Sequence, residues 1–242
     1  MRDSVSHAAA SDIGLRRENN EDSYAVIDLG RPFPCVLIIA DGMGGHRRGE
    51  LASRIAVDYV EELLRHKLET DSDPETVQQA LADICEKANI RVYLGSLESE
   101  DCRGMGTTAA VIYEDQLILA HVGDSRAYLY RDSSLLRLTI DHTLVQEMID
   151  AGSLSEAESK THPRRNVLTR ALGAPENVQS DTIRLPLEQG DGILLCTDGL
   201  HGTVSDEEIL AVLNEEKSSE QAVNKLIALA NAKGGEDNVC KI

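Results

Sequence analysis

The sequence predicts an α+β fold, in which antiparallel strands and amphipathic helices occupy separate stretches of the chain. Between residues 104 and 138, apolar runs follow one another with only tight turns between them, and strands joined so closely must be antiparallel. Before this region, apolar residues at helical spacing predict a helix over residues 48–68. A second helix is predicted after Asp73-Pro74, because proline suits the first helical turn. The strands between residues 104 and 138 are therefore predicted to form a meander, and the chain does not follow a repeating strand–helix–strand pattern.

The other elements follow from short apolar runs and their punctuation. A strand before residue 30 is predicted from Tyr24, Val26 and Ile27, and a turn at residues 31–34 leads into the next one. A polar loop rich in charge precedes this strand. Further strands are predicted at residues 4–10, 36–40, 135–138, 178–185 and 193–197, and further helices at 143–151, 205–214 and 219–232.

Composition limits the classes of protein that the chain can represent. The 242 residues contain no repeat or low-complexity linker, so we expect a single domain over residues 1–242. Hydrophobic residues make up 41% and charged residues 27%, which is ordinary for a globular protein with a sizeable core. With one Phe and no Trp, the core must be aliphatic, and a stacking platform for nucleic acid is not expected.

Charge and cysteine usage narrow the expected partners and location. A net charge of −18 opposes binding to nucleic acid or to an anionic membrane. No stretch approaches the roughly 18 apolar residues of a membrane span, and residues 1–12 lack a signal-peptide core. The five cysteines are scattered without Cys-x-x-Cys spacing. We therefore expect a cytoplasmic monomer with no nucleic-acid or membrane partner.

The most informative stretch is the apolar run at residues 36–40, which ends in Asp41-Gly42-Met43-Gly44-Gly45. A carboxylate at the end of a buried strand needs a partner, because desolvating it unpaired costs several kcal/mol. The glycines allow a backbone carbonyl to approach a ligand. The alternative is a plain strand-to-helix turn with a solvated aspartate. A second apolar strand, at residues 193–197, also ends in Asp-Gly, at Asp198-Gly199.

Further acidic residues stand at breaks between the predicted elements, namely Glu21, Asp22, Asp124 and Asp237. Carboxylates that converge without Cys ligands or a His pair favour hard cations such as Mg²⁺ or Mn²⁺. The alternative, that each caps a turn or helix, is strong for any one residue. It weakens for five or six residues that follow apolar strands or stand beside glycines.

Seven short motifs together resemble the protein phosphatase 2C family of metal-dependent Ser/Thr phosphatases. They occur in the family's order and cover essentially the whole chain. The Asp-Gly-Met-Gly-Gly form and the stretch from His162-Pro163 to Leu172-Gly173 resemble the bacterial branch. The motifs are Gly14-x-x-Arg17-x-x-Asn20-Glu21-Asp22, Ala40-Asp41-Gly42-Met43-Gly44-Gly45, Gly104-Met105-Gly106-Thr107-Thr108, Val122-Gly123-Asp124-Ser125-Arg126, Asp141-His142, Cys196-Thr197-Asp198-Gly199 and Asp237-Asn238.

The resemblance implies a fold and a reaction. The fold is an αββα four-layer sandwich, with two facing antiparallel sheets, helices on both outer faces and the metals at one edge. The reaction is hydrolysis of phosphoserine and phosphothreonine in proteins, by a metal-bridged hydroxide attacking phosphorus in line without a phosphoenzyme. Asp41 would bridge two Mn²⁺ or Mg²⁺ ions, and the Gly42 carbonyl would bind one of them. Asp198 and Asp237 would hold the other ion.

The remaining residues of the motifs acquire supporting roles from the same resemblance. Glu21 and Asp22 would bind metal directly or through water, and Asp124 would form a third, weaker site. Arg17 has a guanidinium fork suited to a phosphate dianion. Its alternative role is a salt bridge to Glu18 or Glu21.

Residues 142–175 are expected to form a flap-like insertion that carries basic side chains in an otherwise acidic protein. His162, Arg164 and Arg165 are candidates for contact with the substrate. Arg170 stands beside apolar neighbours, so we expect it to pin the insertion to an acidic residue. Phosphorylated proteins, including a cognate Ser/Thr kinase and its targets, are the expected partners.

The sequence departs from the family's pattern in two places, and three other functions compete with the one that the resemblance implies. Met43 stands where many eukaryotic relatives have a histidine proposed as general acid, and His46 reads as a surface residue opening a helix. The last strand is also shorter than in relatives. The first rival is a non-catalytic phosphoprotein-binding module on the same fold, although all the predicted metal carboxylates are present. A phosphatase with an aspartyl nucleophile would carry Asp-x-Asp, and a metal-dependent nuclease is disfavoured by the charge.

Overall fold

The computed structural model describes residues 5–30, 35–42, 49–68, 72–97, 105–113, 115–173 and 177–242. Several features singled out in the sequence lie outside these ranges. They are the glycine-rich residues 43–48 with Met43 and His46, the turn at residues 31–34, Cys102, Gly104 and Glu114. Among the helices within the described ranges, none is both long and apolar enough to cross a membrane.

The described elements alternate between blocks of strands and blocks of helices, as the sequence predicts. In chain order they are β1 (Ala10–Asp12), β2 (Asp22–Ile27), β3 (Cys35–Gly42), α1 (Gly49–Lys67), α2 (Pro74–Leu97), β4 (Met105–Tyr113), β5 (Gln116–Val122), β6 (Arg126–Arg131), β7 (Ser134–Arg137), α3 (Leu144–Asp150), α4 (Glu156–Ser159), β8 (Asp181–Pro186), β9 (Gly192–Cys196), α5 (Asp198–His201), α6 (Asp206–Glu215), α7 (Ser219–Ala232) and β10 (Val239–Lys241).

The strands form two antiparallel sheets. The first sheet has the order β1-β10-β9-β6-β7, and the second has the order β2-β3-β4-β5-β8. Apolar side chains of both sheets meet in one cluster between them, including Leu37 and Ile39 of β3 and Leu195 of β9. The two sheets therefore face each other across an aliphatic core.

Helices cover both outer faces of this pair of sheets. On the second sheet, Ile38 of β3 and Ile118 of β5 pack with apolar residues of α1 and α2. On the first sheet, Leu194 of β9 and Val239 of β10 pack with apolar residues of α5, α6 and α7. These four layers confirm the predicted αββα sandwich.

The structure corrects the meander at one point. The chain leaves the second sheet after β5 and enters the first sheet with β6, so these neighbouring strands do not pair. The free edge of β5 is taken by β8, with Leu117 opposite Leu185, and β6 pairs with β9. Gly123 begins the crossing with φ +104, a value that favours glycine. Pairing with distant strands has overridden the local hairpin pattern.

Element boundaries are predicted well where local chemistry sets them. Ser205 and Ser218 cap α6 and α7 as N-caps, and Thr143 caps α3. The opening strand predicted at residues 4–10 is wrong over the described residues 5–9. There β1 spans Ala10–Asp12, because within residues 5–12 only this segment has a ladder partner, in β10. The strand expected at residues 178–185 lies at Asp181–Pro186 for the same reason, since its partner is β5.

Candidate active site

Two adjacent strands bring Asp22 and Asp41 side by side. Asp22 begins β2 and lies directly opposite Asp41 near the end of β3. Opposite residues on antiparallel strands have Cβ atoms about 4.5–5.5 Å apart. Burial raises the pKa of both carboxyls well above the ordinary range, and Asp198 and other nearby carboxyls raise it further. Strand β3 thus places Asp41 next to a second aspartate, Asp22 of β2.

Asp198 joins this pair from the other sheet. It is the first residue of α5, immediately after β9 and Thr197. Its carboxyl is hydrogen-bonded to that of Asp41, and burial together with Asp237 raises the pKa of Asp198 to about 6. Two carboxylates held this close repel each other, so ionising both is costly. The two Asp-Gly motifs of the sequence therefore converge, one from each sheet.

Asp237 lies beside these residues but faces a cation of the protein itself. Its Oδ2 is 2.6 Å from a guanidinium nitrogen of Arg17. Partial burial lowers the pKa of Arg17, but the bond and charge of Asp237, with the charges of Glu21 and Asp198, outweigh this and raise it. The salt-bridge alternative for Arg17 named Glu18 or Glu21, whereas the observed partner is Asp237.

Two polar residues support the acidic side chains and received no role from the sequence. The Thr197 hydroxyl donates to Oδ2 of Asp22 at 2.8 Å and accepts the backbone N–H of Cys240 at 3.0 Å. The Asn238 amide oxygen accepts the backbone N–H of Glu21 at 2.8 Å, and its nitrogen donates to the carbonyl of Asn19 at 3.0 Å. The sequence did contain a signal for both residues. Thr197 is a polar residue at the end of an apolar strand, and Asn238 belongs to the Asp237-Asn238 motif.

Glycine is required where the backbones approach each other at this site. A Cβ on Gly199 would lie 1.8 Å from the carbonyl oxygen of Asn238. A Cβ on Gly42 would lie 2.2 Å from the carbonyl oxygen of Gly49 and 2.6 Å from that of Glu21. All three distances are far below van der Waals contact, so neither position admits a side chain without rearrangement.

Asp124 lies on the crossing between β5 and β6 and is 8% exposed. Burial, with the charges of Asp198 and Asp141, raises its pKa to about 8. Glu21 is also 8% exposed, and burial raises its pKa. We call the carboxyls at positions 21, 22, 41, 124, 198 and 237 the acidic cluster.

The basic residues of the insertion have hydrogen-bond and ion-pair partners outside the acidic cluster. Arg164 and Arg165 are exposed, and the ring of His162 accepts the backbone N–H of Arg164 at 3.2 Å. Within the described residues, none of these three side chains bonds to the acidic cluster. Arg170 pairs with Asp181 at 2.7 Å, which confirms that it pins the insertion to an acidic neighbour.

The donor set fits hard divalent cations better than any other ligand. It offers carboxylates and the Gly42 carbonyl, which are the oxygen ligands that Mg²⁺ and Mn²⁺ take together with water. Burial and the nearby carboxyls raise the pKa values of Asp22, Asp41 and Asp124, and a cation would relieve the repulsion between these groups. In the described part of the chain, no three His, Cys, Asp or Glu side chains are already arranged to hold an ion. Asp41 and Asp198 bond each other instead, and Asp237 bonds Arg17.

Comparison with known proteins identifies the family. Residues 16–238 match the family described as protein phosphatase 2C. The chain is 37% identical over 233 residues to the serine/threonine phosphatase stp of Listeria monocytogenes, covering 95% of this chain and 91% of the relative. Among solved structures, the Streptococcus agalactiae serine/threonine phosphatase aligns with a TM-score of 0.89 at 36% identity, covering 97% of this chain and 96% of that one.

A second solved structure bears on the metal. The catalytic domain of the serine/threonine protein phosphatase PstP, in complex with two manganese ions, aligns with a TM-score of 0.79 at 35% identity. The alignment covers 97% of this chain and 94% of that one. With the four-layer fold and the converging aspartates, these matches show that the chain belongs to the protein phosphatase 2C family.

Proposed function

We propose that this protein hydrolyses phosphoserine and phosphothreonine in proteins in a metal-dependent reaction that forms no phosphoenzyme. The observation that carries the proposal is the meeting of the Asp41 and Asp198 carboxyls at the edge of the two sheets. The names of the relatives, which are serine/threonine phosphatases, support the substrate class. The structure of PstP with two manganese ions supports the metal dependence.

The acidic cluster would hold two core Mn²⁺ or Mg²⁺ ions. Asp41 would contact both, with the Gly42 carbonyl on one side and Asp198 and Asp237 on the other. Glu21 and Asp22 would bind directly or through water. Asp124 would serve a third, weaker site. When bound, such a pair of cations lowers the pKa of a shared water and neutralises charge on the transferring phosphoryl group.

Arg17 would bind the phosphate of the substrate. Its guanidinium is partly exposed, with 45% of the side chain accessible, and it stands beside the acidic cluster through its bond to Asp237. Arg17 and Asp237 now neutralise each other. With a phosphate dianion bound to Arg17 and a cation bound to Asp237, each side chain would have a new partner of opposite charge. A planar fork binds two phosphate oxygens at once, which orients the group as well as attracting it.

The insertion at residues 142–175 would select protein substrates without taking part in the chemistry. Arg164 and Arg165 supply positive charge at its surface beside His162, and phosphoproteins bring negative charge beyond the phosphate itself. A cognate kinase and its targets are the proposed substrates. We also propose that the chain forms a single domain, is monomeric and lies in a reducing cytoplasm. The free cysteines support the reducing location; they are Cys35, Cys85, Cys196 and Cys240.

The test is phosphate release from a phosphothreonine peptide with and without manganese. We expect release only with the metal. Asp41→Asn and Asp198→Asn should each lower turnover by orders of magnitude at limiting manganese while the far-UV circular dichroism is unchanged. Asp58→Asn is the matched control, because it removes an equally charged but exposed carboxylate on α1.

Two results would contradict the proposal. Near-normal turnover of Asp198→Asn at limiting manganese would remove Asp198 from the metal ligands. Tight binding of the phosphopeptide without any release of phosphate would instead support the non-catalytic binding module.

A further inference from the structure

The turn that carries Asp124 is held by two histidines from different parts of the chain, of which His142 is buried and His201 is half-buried. His142 binds Gly123 twice: its backbone N–H donates to the Gly123 carbonyl at 2.8 Å, and its ring Nδ1 accepts the Gly123 N–H at 3.1 Å. His201, at the end of α5, has Nε2 2.9 Å from the carbonyl oxygen of Asp124. The backbone on both sides of the Asp124 nitrogen is therefore fixed by imidazole rings.

The contacts determine which ring nitrogens carry protons. Because Nδ1 of His142 accepts a hydrogen bond, its proton must lie on Nε2, which is 3.2 Å from Oδ2 of Asp181. Asp181 is itself held by Arg170 at 2.7 Å. Burial lowers the pKa of His142, which agrees with a neutral ring. His201 must carry its proton on Nε2, because a carbonyl oxygen can only accept.

The turn needs such support because of the charges around it. The Asp124 carboxyl is nearly buried and feels both Asp198 and Asp141. Repulsion between carboxylates would push the turn away from the cluster unless its backbone were held. Gly123, at φ +104, presents both its N–H and its carbonyl to His142.

We propose that His142 and His201 are positioning residues that hold the Asp124 carboxylate where it binds a divalent cation. The inference rests on the proposed function for the presence of that cation. Neither ring needs to touch metal or substrate, since each acts through the backbone of the turn. Outer partners of this kind typically change metal affinity by about 10- to 100-fold when they are lost.

The same two substitutions, Asn and Gln, are expected to rank in opposite order of manganese affinity at His142 and at His201. Asn places its side-chain oxygen where a histidine has Nδ1, and Gln places its amide nitrogen near the position of Nε2. His142→Asn therefore keeps the acceptor for Gly123, whereas His142→Gln loses it. His201→Gln keeps the donor to Asp124, whereas His201→Asn loses it. A role in filling space alone would favour the same amide at both positions.

The measurement is manganese binding to the metal-free chain of 242 residues, monitored by the electron paramagnetic resonance of free Mn²⁺. We expect His142→Gln and His201→Asn to weaken the weakest site about tenfold or more, with the tighter sites unchanged. His142→Asn and His201→Gln should stay near the wild-type protein. Equal affinities in all four variants, or the same amide preferred at both positions, would overturn the proposal.

A second measurement uses the wild-type protein and so does not depend on the folding of any variant. Nitrogen-15 NMR of the imidazole rings should show both histidines neutral with the proton on Nε2. A proton on Nδ1 of His142 would overturn the geometry. A wild-type protein without a weaker manganese site would also overturn the proposal, even if it is an active phosphatase. The protein could instead bind manganese with the expected order of affinities, Asn better than Gln at position 142 and Gln better than Asn at position 201, and yet release no phosphate. That result would refute the proposed function and leave the positioning role of the two histidines standing.

Discussion

Replacing Lys241 with methionine is expected to stabilise the protein by an amount that depends on pH. Lys241 lies on β10, between β1 and β9 in the first sheet, and its side chain is fully buried. Within the described residues, its Nζ has no hydrogen-bond partner. Burial lowers the pKa of Lys241 from 10.5 to about 7, against smaller opposing effects of Cys196, Cys240 and Asp12. Methionine is similar in length and carries no charge.

The sign follows from proton binding. The pKa is lower in the folded than in the unfolded protein, so between about pH 7 and pH 10.5 the unfolded chain binds more protons. The free energy of unfolding therefore rises with pH in this window, and the cost of Lys241 is greatest below pH 7. At about 1.4 kcal/mol per pKa unit, that cost is about 5 kcal/mol at pH 6 and about 1 kcal/mol at pH 9.5.

The assay is urea unfolding of the wild-type protein and Lys241→Met at pH 6 and pH 9.5, in the same magnesium buffer. The gain in the free energy of unfolding should be about 3 kcal/mol larger at pH 6 than at pH 9.5. This corresponds to a change of about 1 M in the relative urea midpoints. Lys217→Met, at an exposed lysine, is the control and should give no such dependence. A gain that is the same at both pH values would refute a buried, uncompensated amine.

Three further predictions concern the site and its backbone. Arg17→Ala should raise the KM for a phosphopeptide, and Arg17→Lys should restore only part of the loss because a point charge cannot form the bidentate fork; steady-state kinetics that match the wild-type protein would leave Arg17 as a salt-bridge residue. Replacing Arg164 and Arg165 together by Ala should weaken turnover of a whole phosphoprotein much more than that of a small aryl phosphate, in a salt-dependent way; equal losses on both substrates would place these arginines in the catalytic machinery. Gly199→Ala should destabilise the protein by about 3 kcal/mol or more in urea unfolding, because its Cβ would overlap a backbone carbonyl, whereas Gly192→Ala, with its nearest contact at 3.6 Å, serves as the tolerated control.

The acidic strand ends were predictable from the sequence because their chemistry is local. An aliphatic run such as residues 36–40 can only be buried, and a carboxylate directly after it must lie at the edge of that core. The helix starts at Ser205 and Ser218 were predictable for the same reason, since a cap satisfies backbone groups within three residues of itself. The order of the motifs then indicated the family.

Pairings across long stretches of chain were decided only by the tertiary structure. The bond between Arg17 and Asp237 joins residues 220 positions apart, and that between Thr197 and Asp22 spans 175. The departure of β6 from β5 depends on β8 and β9, which lie far downstream. Local periodicity carries no information about such partners.

The sequence by itself thus determined which residues are acidic, that Asp41 and Asp198 directly follow apolar strands, and where the four longest helices lie. The packing of the two sheets decided that Asp41 and Asp198 meet, that Arg17 faces Asp237 and that His142 and His201 hold the turn at Asp124. The physical reason is that secondary structure follows from neighbours within a few residues. A site of this kind is assembled by burying apolar surface between segments that the chain keeps far apart.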